Sequence, residues 1–107
     1  PQIARVCYDM QQRFKNPDYK VSDAARKAGI SDVYFRRLFK EELGMSPMQY
    51  LISLRVAHAK NLITYEKKRV SEVASESGFS DIYYFSRMFK KATGFTPTEY
   101  RRYVNAY

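Results

Sequence analysis

The sequence holds very little of what metal and redox chemistry needs: one cysteine, Cys7, and one histidine, His58, in 107 residues. A single thiol cannot close a disulfide within the chain, and one residue of each kind cannot assemble a Cys/His zinc set. No metal site and no cofactor is expected. No serine or cysteine is paired with a base, as covalent catalysis requires, so the chain does not read as an enzyme. Long apolar runs are missing as well. No stretch of 18 apolar residues and no signal-type start occurs, which predicts a soluble, cytoplasmic protein that spans no membrane. The absent initiator methionine suggests a cut fragment. Acidic residues are outnumbered, 11 against 19 Lys and Arg, for a net charge of +8. That balance favours a polyanionic partner, nucleic acid before anionic membrane.

What is present is a modest core, with 45% apolar and 16% aromatic residues, enough for one domain or two very small ones. The organising stretch runs over residues 46–64. Ser46 can cap a helix, Pro47 suits its first turn, and Gln49 completes a capping box. Tyr50, Leu51, Leu54 and Ala57, with Val56, Ala59, Leu62 and Ile63 behind them, keep a three-and-four spacing that makes a wide buried stripe. A helix this apolar must pack on both neighbours. At 1.5 Å per residue it spans roughly 27 Å and can set the distance between two small units.

Ahead of it, Ile3, Val6, Cys7, Met10 and Phe14 form a helical stripe that ends at the Asn16-Pro17-Asp18 breaker. Cys7 reads there as a small core residue, not a reactive thiol. From Val21 the chain repeats itself. Val21–Tyr34 matches Val70–Tyr83 at an offset of 49; placing an extra residue at Tyr84 shifts the offset to 50 for Phe35–Lys40 against Phe85–Lys90. Fourteen of the thirty pairs over Val21–Tyr50 are identical, too many for coincidence, so the chain contains a duplication.

Each copy reads as short helix, tight turn, longer helix. Gly29 and Gly78 stand where the turn needs a positive φ, and Ala25 and Ala74, four residues earlier, let two helices approach closely. Ser31 and Ser80 are the expected caps of the second helices, with Asp32 and Asp81 in their first turns. Gly44 and Gly94 close those helices, and Thr96-Pro97-Thr98-Glu99 starts another that carries Tyr100 to Tyr103 before running out at Tyr107. This is the pattern of a helix-turn-helix, present twice. Between the copies lies a polar basic bridge with Lys67, Lys68 and Arg69, for which a solvated loop and phosphate contact both fit.

Stepping 100° per residue from Phe35 places Leu38, Phe39 and Leu43 within roughly 80° of it, and Val33, Arg36, Arg37 and Lys40 between about 100° and 200°. The same count from Phe85 turns Met88 and Phe89 inward and Tyr83, Ser86, Arg87 and Lys90 outward. Any soluble helix carries a charged outer face, but here two in register each place an arginine mid-stripe. Arginine and lysine supply donors for guanine edges and phosphates, and a helix fits the major groove. Tyr83 and Tyr84 suit packing, phosphate hydrogen bonding or contact with thymine methyls; for Tyr34 packing is the expectation.

The stretch from Gly78 to Lys91, followed by Gly94-Phe95-Thr96-Pro97 and Tyr100-Arg101, resembles the signature of the DNA-binding domain of the AraC/XylS family of bacterial transcription regulators. The resemblance runs from about Ile3 to Tyr103. It implies an all-α, homeodomain-like fold of about seven helices over residues 1–107: a first lobe at about 3–45, a linker helix at about 46–64 and a second lobe at about 65–103. It also implies base contacts from Val33, Arg36 and Arg37 in the first motif and from Ile82, Tyr83, Ser86 and Arg87 in the second. Lys40, Lys90, Lys67, Lys68 and Arg69 are the expected phosphate contacts. The expected function is sequence-specific regulation of transcription, with both second helices in successive major-groove segments of an asymmetric double-stranded DNA site. Further expected partners are RNA polymerase and an effector-binding or dimerisation domain outside this chain. The rival from another class is a helical protein–protein module. His58, mid-linker, reads as a packing or surface residue.

Overall fold

Ser46 accepts a hydrogen bond from the Gln49 amide at 3.1 Å while the Gln49 side chain accepts from the Ser46 amide at 2.9 Å, so the central helix begins where the sequence marks it. A computed structural model describes residues 2–106; Tyr107, the expected end of the run-out, lies outside the described residues. These form seven helices and no strand: α1 (Gln2–Arg13), α2 (Val21–Lys27), α3 (Asp32–Leu43), α4 (Pro47–Tyr65), α5 (Val70–Glu76), α6 (Ile82–Thr93) and α7 (Pro97–Asn105). The all-α, two-motif architecture expected from the repeat is the one formed, with α2–α3 and α5–α6 as the two helix-turn-helix units.

Two apolar cores lie along α4. The first joins Ile3, Val6 and Met10 of α1, Ala24 and Ala25 of α2, Phe35 and Phe39 of α3, and Leu51 of α4. The second joins Val56, Ala59, Leu62 and Ile63 of α4 to Val73 and Ala74 of α5, Phe79, and Phe85 and Phe89 of α6. α4 therefore supplies both cores in turn, and the molecule is elongated, about 46 × 23 × 22 Å. The aromatic rings pack in series: Phe35 on Phe39 and Phe39 on Tyr50 edge to face at 5.7 Å, then Phe85 tilted on Phe89 at 5.6 Å and Phe89 edge to face on Tyr100 at 5.4 Å. The same aromatic relay thus closes each lobe, as duplication requires, at a gain of about 0.5–1.5 kcal/mol per pair beyond burial.

Four expectations change. The cap of α6 is Asp81 and not Ser80: its Oδ1 accepts from the Tyr83 amide at 2.8 Å and the Tyr84 amide at 3.4 Å. Ser31 does cap α3, accepting from the Tyr34 amide at 3.1 Å. The extra residue of the second copy is accordingly taken up in the turn after Gly78, ahead of α6, so that Asp81 is the structural counterpart of Ser31, Tyr83 of Val33 and Tyr84 of Tyr34. Tyr34 is exposed, not packed, because it stands one position off the Phe35–Phe39 stripe. Leu43 is also exposed, since α3 ends there and the first core has already closed behind Phe39. Ala57 faces solvent; its place in the buried stripe of α4 is taken by Arg55, only 7% exposed.

Candidate nucleic-acid interface

The two second helices, α3 and α6, each bury two phenylalanines four residues apart, and that fixes which residues are left outside. On α3 these are Val33, Arg36, Arg37 and Lys40, all exposed; on α6 they are Tyr83, Arg87 and Lys90, exposed, and Ser86, half-buried. Val33 and Tyr83 hold the same place near the helix start and are among the most exposed apolar side chains of the chain, at 77% and 75%. Ile82 sits one residue earlier, at the rim of this face, 38% exposed. The expected base-contacting residues of each motif thus lie along one outer face of its second helix.

Their partners differ. The Arg37 guanidinium lies over the Tyr34 ring, 5.3 Å from its centroid, and the Arg87 guanidinium lies over the Tyr84 ring at 5.8 Å. The pairs are three residues apart, neighbours on a helix surface, and they recur at the same place in both motifs. A flat guanidinium laid on a ring loses rotamer freedom before it meets any acceptor, and its in-plane donors stay open. This arginine–tyrosine pair was not anticipated in the sequence reading, although the spacing Tyr-x-x-Arg in both copies carries the signal. Arg36, by contrast, is ion-paired one turn back with Asp32, a contact without an equivalent on α6, where Ser86 follows Ile82. Arg37, Lys40, Arg87 and Lys90 form no ion pair among the described residues.

The basic bridge is divided as well. Lys68 is clamped by Glu76 at 2.6 Å with Glu66 at 3.8 Å, and the hydrogen bond to Glu76 pushes its pKa up. Its carbonyl accepts from Arg101. Arg69 is exposed, 3.8 Å from Glu72, and its amide donates to the same carboxylate. Lys67 is exposed, outside these pairs, in a left-handed turn at φ 51°. Among the described residues no three His, Cys, Asp or Glu gather in a group that could hold a metal ion, and no helix is long and apolar enough to cross a membrane.

Known proteins similar to this chain show its family. A family model described as a helix-turn-helix domain matches residues 24–103. The C-terminal domain of AraT, a response regulator from Geobacillus stearothermophilus, is 33% identical and superposes over 96% of this chain and 85% of its own, with a TM-score of 0.91. The chain belongs to the AraC-type helix-turn-helix family of DNA-binding transcription regulators. A second structural neighbour, the DNA-binding domain of the global transcriptional factor AdpA in complex with a target DNA, is 29% identical over 97% of this chain and 93% of its own, with a TM-score of 0.90. The transcriptional activator RhaR of Yersinia pseudotuberculosis is 34% identical over 84 residues, which are 78% of this chain but 29% of RhaR. This AraC-type domain therefore spans under a third of the length of such relatives.

Proposed function

We propose that the chain is the sequence-specific, double-stranded-DNA-binding part of a bacterial transcription regulator, and that α3 and α6 enter successive major-groove segments of one asymmetric site. The observation that carries the reading is the repeated exposed face of α3 and α6, each with an arginine over a tyrosine ring and a lysine one turn on. Base contacts are assigned to Val33, Arg36, Arg37, Ile82, Tyr83, Ser86 and Arg87. Arg37 and Arg87 are suited to guanine edges, while Val33 and Tyr83 offer apolar surface to thymine methyls. Phosphate contacts are assigned to Lys40, Lys90, Lys67, Lys68 and Arg69, of which Lys68 and Arg69 must exchange a carboxylate for the backbone. The two faces carry different residues, so the two boxes differ in sequence. The 46 Å long axis accommodates the ~34 Å between groove segments one turn apart.

RNA polymerase, an effector-binding or dimerisation domain elsewhere in the protein, a cytoplasmic location and the absence of enzymatic activity belong to the same proposal. The activator among the relatives and its greater length support it. Selection of bound sites from random DNA, followed by binding across a salt series, tests the reading. Five phosphates neutralised should give a log K against log salt slope of roughly −4 to −5. Failure to enrich any sequence, with a flat salt response, would instead favour the protein–protein module.

A further inference from the structure

Arg55 stands on α4 between Leu54, which packs on the first core, and Val56, which belongs to the second. Its charge has no carboxylate partner among the described residues. Its Nε donates to the Phe14 carbonyl oxygen at 2.8 Å, its Nη2 to the Asn16 carbonyl oxygen at 3.0 Å, and its guanidinium faces the Phe79 ring at 5.9 Å. The two carbonyls lie just past Arg13, in the tail that follows α1 in the first lobe, and that of Asn16 also accepts from the Tyr19 amide at 3.1 Å. Phe79 belongs to the second lobe.

The turn of the second motif closes on the same point. A Cβ at Gly78 would lie 2.3 Å from the Phe14 carbonyl oxygen and 2.8 Å from Arg55 Nε, so this backbone is pressed against both. The Phe14 ring meets His58 edge-on at 5.6 Å alongside. Outside α4, the well-packed helix pairs stay within one lobe. The contact has a direct line to both reading helices: α1 packs on α3, and Gly78 lies three residues ahead of Asp81, the cap of α6. A buried cation held only by carbonyl dipoles and a ring is a costly way to fill space, and a well-packed apolar side chain commonly serves stability as well or better. What the guanidinium adds is a fork that fixes two carbonyls at once.

We infer that Arg55 is a positioning residue that locks the tail of α1 to the turn of the second motif, and so sets the rotation between the two reading helices and the base-pair spacing of a two-box site. The part concerning spacing rests on the two-groove reading above; the lock does not.

Residual dipolar couplings on the free protein test the lock. Wild type should fit one alignment tensor for both lobes, and Arg55→Met, of similar length but with no donors, should require two. On DNA, moving one box by a single base pair should weaken wild type by about tenfold or more, because a rigid body must twist or bend the duplex. The same change should cost Arg55→Met no more than about threefold, with each box bound alone unchanged. Two tensors in wild type, one tensor in the variant, or a spacing preference that survives the substitution would each overturn the inference. If Arg55→Met does not fold, Arg55→Lys, which keeps the charge but cannot span both carbonyls, should give the intermediate result in both measurements; if neither folds, the residue serves folding and the inference is overturned. One tensor in wild type and two in the variant, with no DNA bound by either, would leave the lock standing and remove the two-groove reading.

Discussion

Gly29 and Gly78 hold the same place in the two motifs, yet their substitution should differ sharply. Both have positive φ, +72° and +97°, but a Cβ at Gly29 meets open space while one at Gly78 meets a carbonyl oxygen at 2.3 Å. Gly29→Ala should cost about 1–2 kcal/mol from backbone strain alone. Gly78→Ala should cost about 1–3 kcal/mol more, because the α1 tail must move as well; urea unfolding of the two variants reads the difference directly. His58 supplies a pH dependence at the same seam. Burial, then the nearby Lys15, depress its pKa below 6.5. The unfolded chain therefore takes up the proton more readily, and stability should be full above pH 6.5 and fall as the pH drops through the folded pKa. Melting curves at pH 7.5 and 5.5 should separate for wild type and lie closer together for His58→Gln. Single residues were the least legible feature of the sequence. Arg55 occupies the slot four after Leu51 and four before Ala59, so the stripe of α4 passes through it, but a charge in that slot reads as an outer-face residue until its carbonyl partners are known. Those partners lie some forty residues away in sequence, where no local pattern can announce them.

Helices were far more legible, because most of their boundaries rest on local chemistry: the Ser46–Gln49 and Thr96–Glu99 boxes, the prolines behind them, and the glycines at 44 and 94. The one misplacement, the cap of α6, has a traceable cause. Ser-Asp occurs in both copies, and matching Ser31 to Ser80 and Asp32 to Asp81 kept two identities at the expense of the register. The longer turn after Gly78 instead makes Asp81 the cap, and its carboxylate accepts from two amides where the Ser31 hydroxyl accepts from one. Asp81→Ala should thus cost about 0.5–2 kcal/mol, read by urea unfolding. Ser80→Ala should stay within about 0.5 kcal/mol; the reverse order would restore Ser80 as the cap. The candidate reading faces were legible for the same reason as the helices, since a phenylalanine every four residues fixes the phase. What phase could not show is which of the outward arginines is already engaged, as Arg36 is by Asp32.

At the scale of the molecule, two lobes on one shaft make a ruler, and DNA of altered length measures it. Inserting five base pairs between the two boxes of a selected site rotates one box by about half a turn. Affinity should fall to that of the stronger box alone, as gel-shift or anisotropy titration would record; unaltered affinity would leave one working motif and one structural copy. The cores make the lobes interdependent in another way. Phe89→Ala, which empties the centre of the second core, should cost about 3–5 kcal/mol, and because α4 serves both cores the loss should lower a single thermal transition followed by circular dichroism. The shared helix also has a consequence for the order in which the protein is made. α4 leaves the ribosome with the first core's partners already present, but Val56, Ala59, Leu62 and Ile63 must wait for α5 and α6. At 5–20 residues per second the stretch from Glu66 to Thr93, the end of α6, takes about 1.5–6 s to appear. For that interval a nascent chain presents an uncovered apolar ridge, a natural docking point for a chaperone, and a fragment ending at Tyr65 should clump with itself.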